Sequence, residues 1–178
     1  VQQAIATRSL FGRLGLFTTS TLSFMSEQTD PITLRRDKYL EEHAPFFESQ
    51  PALKGAFLVG VLTSMLAYAQ YDHLRNKPFL NRLNNLNLGL DELRGLVPQL
   101  LNKIQQYQQR KNGKAPPHKV VTDITAAAST LLMEGKRPSR DDLSFAFTTG
   151  MVMQDKFAID VAKERIAKKE AEATSTAS

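Results

Sequence analysis

The sequence contains no cysteine and no tryptophan, and both absences narrow what the protein can be. Without cysteine there are no disulfides, no thiolate ligands for a metal ion and no thiol nucleophile, and the composition fits a reducing compartment such as the cytoplasm. Strand formers are also scarce, because Val, Ile and Thr are outnumbered by Leu, Ala, Gln, Lys and other helix formers. The composition therefore predicts an all-α protein.

Patterns that carry catalysis or metal binding are scarce as well. The histidines His43, His73 and His118 lie on separate predicted segments, and none has a histidine or carboxylate partner at the spacing of helical metal ligands. The adjacent carboxylates Asp141 and Asp142 are explained by the start of a helix, where acidic residues cap free amides. No glycine-rich phosphate loop or nucleophile elbow is present. We expect a non-enzymatic protein with no metal ion and no cofactor.

Apolar residues recur at intervals of three and four, which predicts a bundle of about five to six helices. The predicted helices span Gln3 to about Thr18, Pro31 to about His43, Pro51 to about Leu74, a short helix or turn in 75–89 that ends at Gly89, Leu90 to about Gln109, 120–134, and 139 to about Glu172. They predict one domain over residues 1–172, with a basic N-terminal helix in 1–26 and the main bundle in 27–172. Residues 173–178 are expected to be a disordered tail.

Local signals support several of these boundaries. Asp30 followed by Pro31 is a capping residue before proline at the first helical position. Ser139 and Asp142 have the spacing of a capping box, so the last helix should start there. Pro98 is expected to kink the helix that contains it, or to separate its first turn.

One run, 55–69 (GAFLVGVLTSMLAYA), is nearly all apolar but shorter than the roughly 20 residues that a membrane-spanning helix needs. It predicts a helix surrounded by other helices in the centre of the bundle. Leu34, Tyr39 and Leu40 are the expected buried residues of the helix before it. The Met and Phe residues from Phe145 to Phe157 are interpreted as core.

Positive charge is unevenly distributed along a chain of net charge +5 and pI near 9.5. No acid lies between Glu92 and Asp123, and the cations there are accompanied by five glutamines and two asparagines. Lys and Arg neutralise phosphates, and amides bond backbone oxygens without reading bases, so the pattern predicts nucleic-acid backbone binding. A solvated basic face is the alternative. The predicted nucleic-acid-binding residues are Arg75, Lys77, Arg82, Lys103, Arg110, Lys111, Lys114, Lys119, Lys136, Arg137 and Arg140.

Two segments carry motifs in a recognisable order. In 55–88, the helix Phe57-Leu58-Val59-Gly60-Val61-Leu62 leads to Gln70-Tyr71, then to Lys77-Pro78-Phe79 and the turn Leu83-Asn84-Asn85-Leu86. The second segment is Asp142-Leu143-Ser144-Phe145-Ala146-Phe147 with Gly150. In these motifs the chain resembles the C-terminal helical region of the type I-B CRISPR large-subunit family.

In that family this region can also be made separately, by internal translation initiation, as the Cascade small subunit. Val1 in place of Met agrees with an internal or non-standard start. The resemblance implies a bundle that stacks in several copies along the guide-RNA filament and supports the heteroduplex and the displaced DNA strand. Its partners would be the large subunit, the backbone subunits, copies of itself, guide RNA and target DNA, with no membrane. Base pairing would supply the specificity, and a separate helicase-nuclease would cut DNA.

A second hypothesis is an organellar or membrane-peripheral helical scaffold. Residues 1–26 contain Arg8, Arg13 and many Ser and Thr but no acid, which is also typical of organellar transit peptides. The apolar run 55–69 supports the same hypothesis.

A further prediction concerns phenylalanines that exceed what the N-terminal helices can bury, because such a surplus predicts self-association or docking through a helix face. These are Phe11, Phe17, Phe24, Phe46 and Phe47.

Overall fold

The computed structural model describes residues 30–71, 88–109 and 115–175. Of the described residues 87% are helical and none is in a strand, which confirms the all-α prediction and its helix number. The described residues form six helices: α1 Pro31–Glu42, α2 Ala44–Glu48, α3 Pro51–Tyr71, α4 Leu90–Gln108, α5 His118–Met133 and α6 Arg140–Ser175. The predicted N-terminal helix, most of the linker after it and residues 72–87 lie outside the described residues.

The bundle has two ends, which we call the Pro116 end and the Gly135 end after the residues found there. Helix α5 runs from the first to the second, and α3 is antiparallel to it, since Gly55 lies against Leu132 and Pro51 lies near Gly135. Helix α4 is also antiparallel to α5, as the Arg94 bond to Leu132 shows. Helix α6 leaves the Gly135 end and runs past the Pro116 end.

Helix α3 forms the centre of the bundle, as predicted. It packs against α4, α5 and α6. Phe57, Leu62 and Leu66 are fully buried, whereas Tyr68 is strongly exposed. The apolar run 55–69 is shorter than a membrane span, but the helix that contains it is longer. Among the described residues, Pro51–Gln70 alone has the length and composition to cross a membrane. However, 89% of that window is buried inside the bundle. Such burial is typical of a core helix in a bundle.

Two glycines allow α3 and α6 to approach closely where they cross. A Cβ atom on Gly60 would overlap the carbonyl oxygen of Phe147, and one on Gly150 would overlap the carbonyl oxygen of Phe57. Each helix therefore presents a glycine to the backbone of the other. Any side chain at either position would force the two helices apart.

The first two helices pack across α3 and α6. Asp30 caps α1 by accepting a hydrogen bond from the Thr33 amide at 3.2 Å, which confirms the predicted start. The Tyr39 ring lies 5.7 Å from that of Phe57 and 6.2 Å from that of Phe157. Burial raises the pKa of the Tyr39 phenol. The prediction for Leu34 was wrong, because its side chain is 55% exposed on the outer face of α1.

Phe46 and Phe47 belong to α2, a short helix that the sequence patterns did not predict. Phe47 was assigned to the unburied phenylalanines, yet it is only 4% exposed and packs on Phe57 with ring centroids 5.4 Å apart. Phe46 is 36% exposed and lies 5.9 Å from the ring of Phe145. The surplus of aromatic surface is therefore smaller than predicted in this segment.

Three boundaries differ from the predictions. Gly89 was expected to end a helix, but it is extended and forms the N-cap of α4. Pro98 lies inside α4 without splitting it, because the helix is continuous from Leu90 to Gln108. Helix α6 continues to Ser175, so the first residues of the expected disordered tail, 173–175, are helical. Ala and Thr in that stretch extend the helix, and Thr174 bonds back to the carbonyl of Glu170 at 2.8 Å.

Candidate nucleic-acid interface

The candidate interface is built on the antiparallel pair α4 and α5. The apolar residues of α4 that were predicted to face inward are buried or partly buried, and Leu93, Leu100 and Ile104 are fully so. The opposite face of α4 is therefore turned to solvent, as its repeat requires. It carries Gln99, Lys103 and Gln106, all exposed.

Hydrogen bonds fix the pair at both ends. At the Gly135 end the Arg94 guanidinium donates to the carbonyl oxygen of Leu132, with Nη2 at 2.7 Å and Nε at 3.0 Å. At the Pro116 end the Gln108 side chain donates to the Pro116 carbonyl at 2.6 Å. The amide oxygen of Gln108 also lies 3.4 Å from Nδ1 of His118. Arg94 and Gln108 thus position the helices and are not free to bind a ligand.

Two of the predicted cations of the 103–119 stretch are described, and both lie toward the Pro116 end. Lys103 is exposed about one and a half turns before the end of α4, and Lys119 is exposed in the first turn of α5. The others, Arg110, Lys111 and Lys114, lie outside the described residues. The chain between Gln109 and Ala115 begins and ends at the Pro116 end, because Gln108 bonds the Pro116 carbonyl.

No acid follows Glu92 on α4, so its outer face toward the Pro116 end carries amides and a cation only. The nearest acid of α5, Asp123, lines a groove between α1 and α5. The polar, acid-free residues of α4 are therefore exposed at the end where residues 110–114 join the two helices in sequence. Such a surface can contact phosphate and sugar oxygens without reading a base.

The remaining described cations lie at the opposite end. Lys136, Arg137 and Arg140 follow α5 and begin α6, and all three are exposed. Arg137 is hydrogen-bonded to Asp91, whose carboxylate also accepts from Arg94 Nη1 at 3.2 Å. The carboxylates of the first turns of α4 and α6 share this end: Asp91, Glu92, Asp141 and Asp142.

The structure therefore separates the predicted interface into two places. The length of α5, 16 residues, separates the Pro116 and Gly135 ends by about 24 Å at 1.5 Å per residue. At the Gly135 end Arg137 is partly neutralised by Asp91, which weakens its attraction for phosphate. Arg75, Lys77 and Arg82, in the chain that joins α3 to α4, lie outside the described residues.

A groove of about 690 Å³ between α1 and α5 does not extend the interface. Its charged lining comprises two cations and four acids, namely Arg36, Lys54, Asp37, Glu41, Glu48 and Asp123. An excess of carboxylates repels a phosphate backbone. In the described part of the chain, no group of three or more His, Cys, Asp or Glu side chains could hold a metal ion.

One surface was missed by the sequence patterns. Phe145, Val152, Ile159 and Ile166 are 63%, 58%, 54% and 57% exposed. Of these, Phe145 belongs to the Met and Phe residues of 145–157 that were interpreted as core. That interpretation holds for Phe147 and Phe157, which are 4% and 7% exposed. The sequence signal that could have found this exposed row is its constant spacing of seven residues. In the structure the buried residues of α6 form a separate set on the other side of the helix.

Comparison with known proteins identifies a family. Residues 1–165 match the family described as CRISPR-associated protein TM1802 (cas_TM1802), C-terminal domain. No curated protein matches the chain, and no solved structure does.

Proposed function

The chain belongs to the family of CRISPR-associated TM1802 C-terminal domains, and from this premise we propose that it is the non-catalytic small subunit of a type I-B Cascade complex. It stacks in several copies along the guide-RNA filament and holds the heteroduplex and the displaced strand by their backbones. Its partners are the large subunit, the backbone subunits, guide RNA and target DNA, in the cytoplasm. It cuts no DNA, and no metal ion or cofactor is required.

The acid-free outer face of α4 at the Pro116 end carries this proposal. Gln99, Lys103 and Gln106 are exposed there, and Lys119 lies at the start of the adjoining helix. Amides and ammonium groups on a rigid helix pair bind phosphodiesters whatever the base sequence. A subunit of this kind needs no base readout, because guide pairing supplies the sequence specificity.

We expect the two sets of cations to contribute unequally. At the Gly135 end Arg137 is already bonded to Asp91, which it shares with Arg94. Arg137 would have to give up its bond to Asp91 to contact a phosphate, so its net contribution to binding is smaller. The Pro116 end should therefore contribute most of the affinity.

Binding of single-stranded DNA, measured across a range of salt concentrations, tests the proposal. The variant Arg110→Ala, Lys111→Ala, Lys114→Ala, Lys119→Ala should keep its helix content, because exposed charges contribute little to stability. Its affinity should fall for every sequence tested. The slope of log affinity against log salt should shrink by about 0.7 for each phosphate of the single strand that the variant no longer neutralises.

A matched variant at the Gly135 end, Lys136→Ala, Arg137→Ala, Arg140→Ala, should lose less affinity for each charge removed. A neutralised acid, Asp123→Asn, should not weaken binding, because that carboxylate lines the groove beside α1. Equal losses in the two cation variants, or an unchanged salt slope in the first, would mean that the Pro116 end is only a solvated basic surface.

A further inference from the structure

The outer surface of α6 carries a row of apolar side chains that the bundle leaves largely uncovered. We call this row, Phe145, Val152, Ile159 and Ile166, the α6 ridge. Each side chain is more than half exposed. At seven residues per step, the ridge runs along the helix for 21 residues, about 31 Å.

The α6 ridge is separate from the core face of the same helix. The buried residues of α6 are Leu143, Ala146, Phe147, Gly150, Gln154, Phe157 and Val161. At 100° per residue their mean direction is roughly opposite to that of the ridge. The ridge also continues beyond the bundle, because residues 162–174 are exposed on every side. Phe46 approaches its first residue, Phe145, but Phe145 stays 63% exposed, so packing within the described chain does not account for the row.

A period of seven residues, two turns of a helix, specifies the shape of an occupant. Side chains repeated at this interval stay aligned with a second helix that wraps around the first at a small angle. A sheet, a loop or a nucleic-acid backbone does not require this repeat. A second helix is therefore the occupant whose geometry fits the α6 ridge.

Residues on the two sides of the ridge indicate which helix this is. Three residues after each of its four members lie Thr148, Asp155, Ala162 and Lys169, and four residues after lie Thr149, Lys156, Lys163 and Glu170. We call these rows the left flank and the right flank. Along the left flank the acid Asp155 precedes the base Lys169. Along the right flank the order is reversed, because the base Lys156 precedes the acid Glu170.

We propose that the α6 ridge pairs with the α6 ridge of a second copy of this chain, parallel and in register. In a parallel twofold pair the left flank of one copy faces the right flank of the other. Asp155 then faces Lys156 of the second copy, and Lys169 faces Glu170. Each of these ion pairs occurs twice, because the contact is symmetric.

The antiparallel pair is disfavoured by the same charges. There each flank faces itself, so that in the register that overlaps all four ridge residues Lys156 meets Lys156 of the second copy and Asp155 meets Asp155. Like charges beside the centre oppose that arrangement. The existing bond from Ser64 Oγ to Asp155 Oδ1, at 2.5 Å, leaves the second carboxylate oxygen for the parallel pair.

This inference deepens the self-association part of the proposed function and rests on that part alone. A twofold contact is closed and joins only two copies. A longer stack along a filament needs a second surface, so the ridge would make pairs that the filament then arranges. All tests below are made without nucleic acid, so a failure here leaves the nucleic-acid proposal untouched.

Disulfide formation tests the geometry directly, because the chain has no cysteine of its own. In the parallel pair Ile166→Cys places identical residues side by side, and oxidation should give a covalent dimer. In an antiparallel pair the two cysteines would be about 31 Å apart along the axis. Met133→Cys, at a side chain 69% exposed near the Gly135 end, is the matched control and should not cross-link.

Sedimentation equilibrium of the free chain tests the energetics. The wild type should dimerise. Ile159→Glu should raise the dimer Kd on the order of 100-fold, because a carboxylate would be buried between the two helices. Met133→Glu, the control, should leave the dimer Kd unchanged. Lys169→Glu should weaken the dimer, and Lys169→Glu with Glu170→Lys should restore it. Monomeric wild type, or cross-linking between Val152→Cys and Ile159→Cys chains but not within Ile166→Cys, would overturn the proposal. So would a ridge that binds another subunit while the free chain stays monomeric.

Discussion

Replacing Gly60 with alanine should destabilise the bundle, although the same change at Gly95 should stabilise it. Alanine favours a helix interior over glycine by about 1 kcal/mol, so both variants begin with that gain. At Gly95 nothing lies within 4 Å of the added methyl group, and a gain of about 0.5–1 kcal/mol should remain.

At Gly60 the methyl group would overlap the carbonyl oxygen of Phe147 and lie 2.9 Å from the amide nitrogen of Met151. These atoms belong to the backbone of α6 and cannot rotate away, so α3 and α6 must separate. Overpacking of this kind costs about 1–3 kcal/mol or more, and with the helix gain subtracted we expect a net loss of about 1–2 kcal/mol. The two variants should then differ by roughly 5–10 °C in Tm.

Urea unfolding followed by circular dichroism measures both free energies on the same scale. Gly150→Ala is a second test, because its methyl group would overlap the carbonyl oxygen of Phe57 at the same crossing. If Gly60→Ala were as stable as Gly95→Ala, the inference that α3 and α6 cross too closely to admit a side chain at Gly60 would be contradicted.

Three further predictions concern stability. Arg94→Met should cost about 1–3 kcal/mol in urea unfolding, because the Leu132 carbonyl loses both donors; an unchanged midpoint would contradict this. Ser139→Ala should cost about 1 kcal/mol, because its hydroxyl accepts from the Asp142 amide at 3.1 Å, and Ser139→Asp should recover most of the loss. The raised pKa of Tyr39 means that the folded state holds the phenolic proton more tightly than the unfolded chain. Stability should therefore fall as pH rises above about 10, and Tyr39→Phe should flatten that part of the Tm profile.

Helix periodicity predicted the bundle well because burial follows the repeat. The inward residues of α4 and the central position of α3 follow directly from the spacing of apolar side chains. The caps at Asp30 and Ser139 could also be predicted, because a cap depends on residues only three positions apart. Features of this kind are local, and a single sequence contains them.

Features that depend on tertiary neighbours could not be predicted in this way. Leu34 and Phe145 have apolar side chains, yet they are more than half exposed because no described helix covers them. The charge pattern located the basic residues without showing that Arg137 has Asp91 as a partner, since the two are 46 positions apart in sequence. The predicted interface is divided between the two ends of α5 for the same reason, because tertiary packing decides which basic residues lie near one another.

Target-DNA affinity of the assembled guide-RNA complex tests the central claim most directly. The complex is prepared with the wild-type chain or with the variant Arg110→Ala, Lys111→Ala, Lys114→Ala, Lys119→Ala, and both are titrated with the same target at several salt concentrations. We predict that the variant enters the complex and that target binding then weakens, with a smaller salt slope and no change in preference among target sequences. Equal affinity and equal slope for the two complexes would contradict the claim that this chain holds a nucleic-acid backbone.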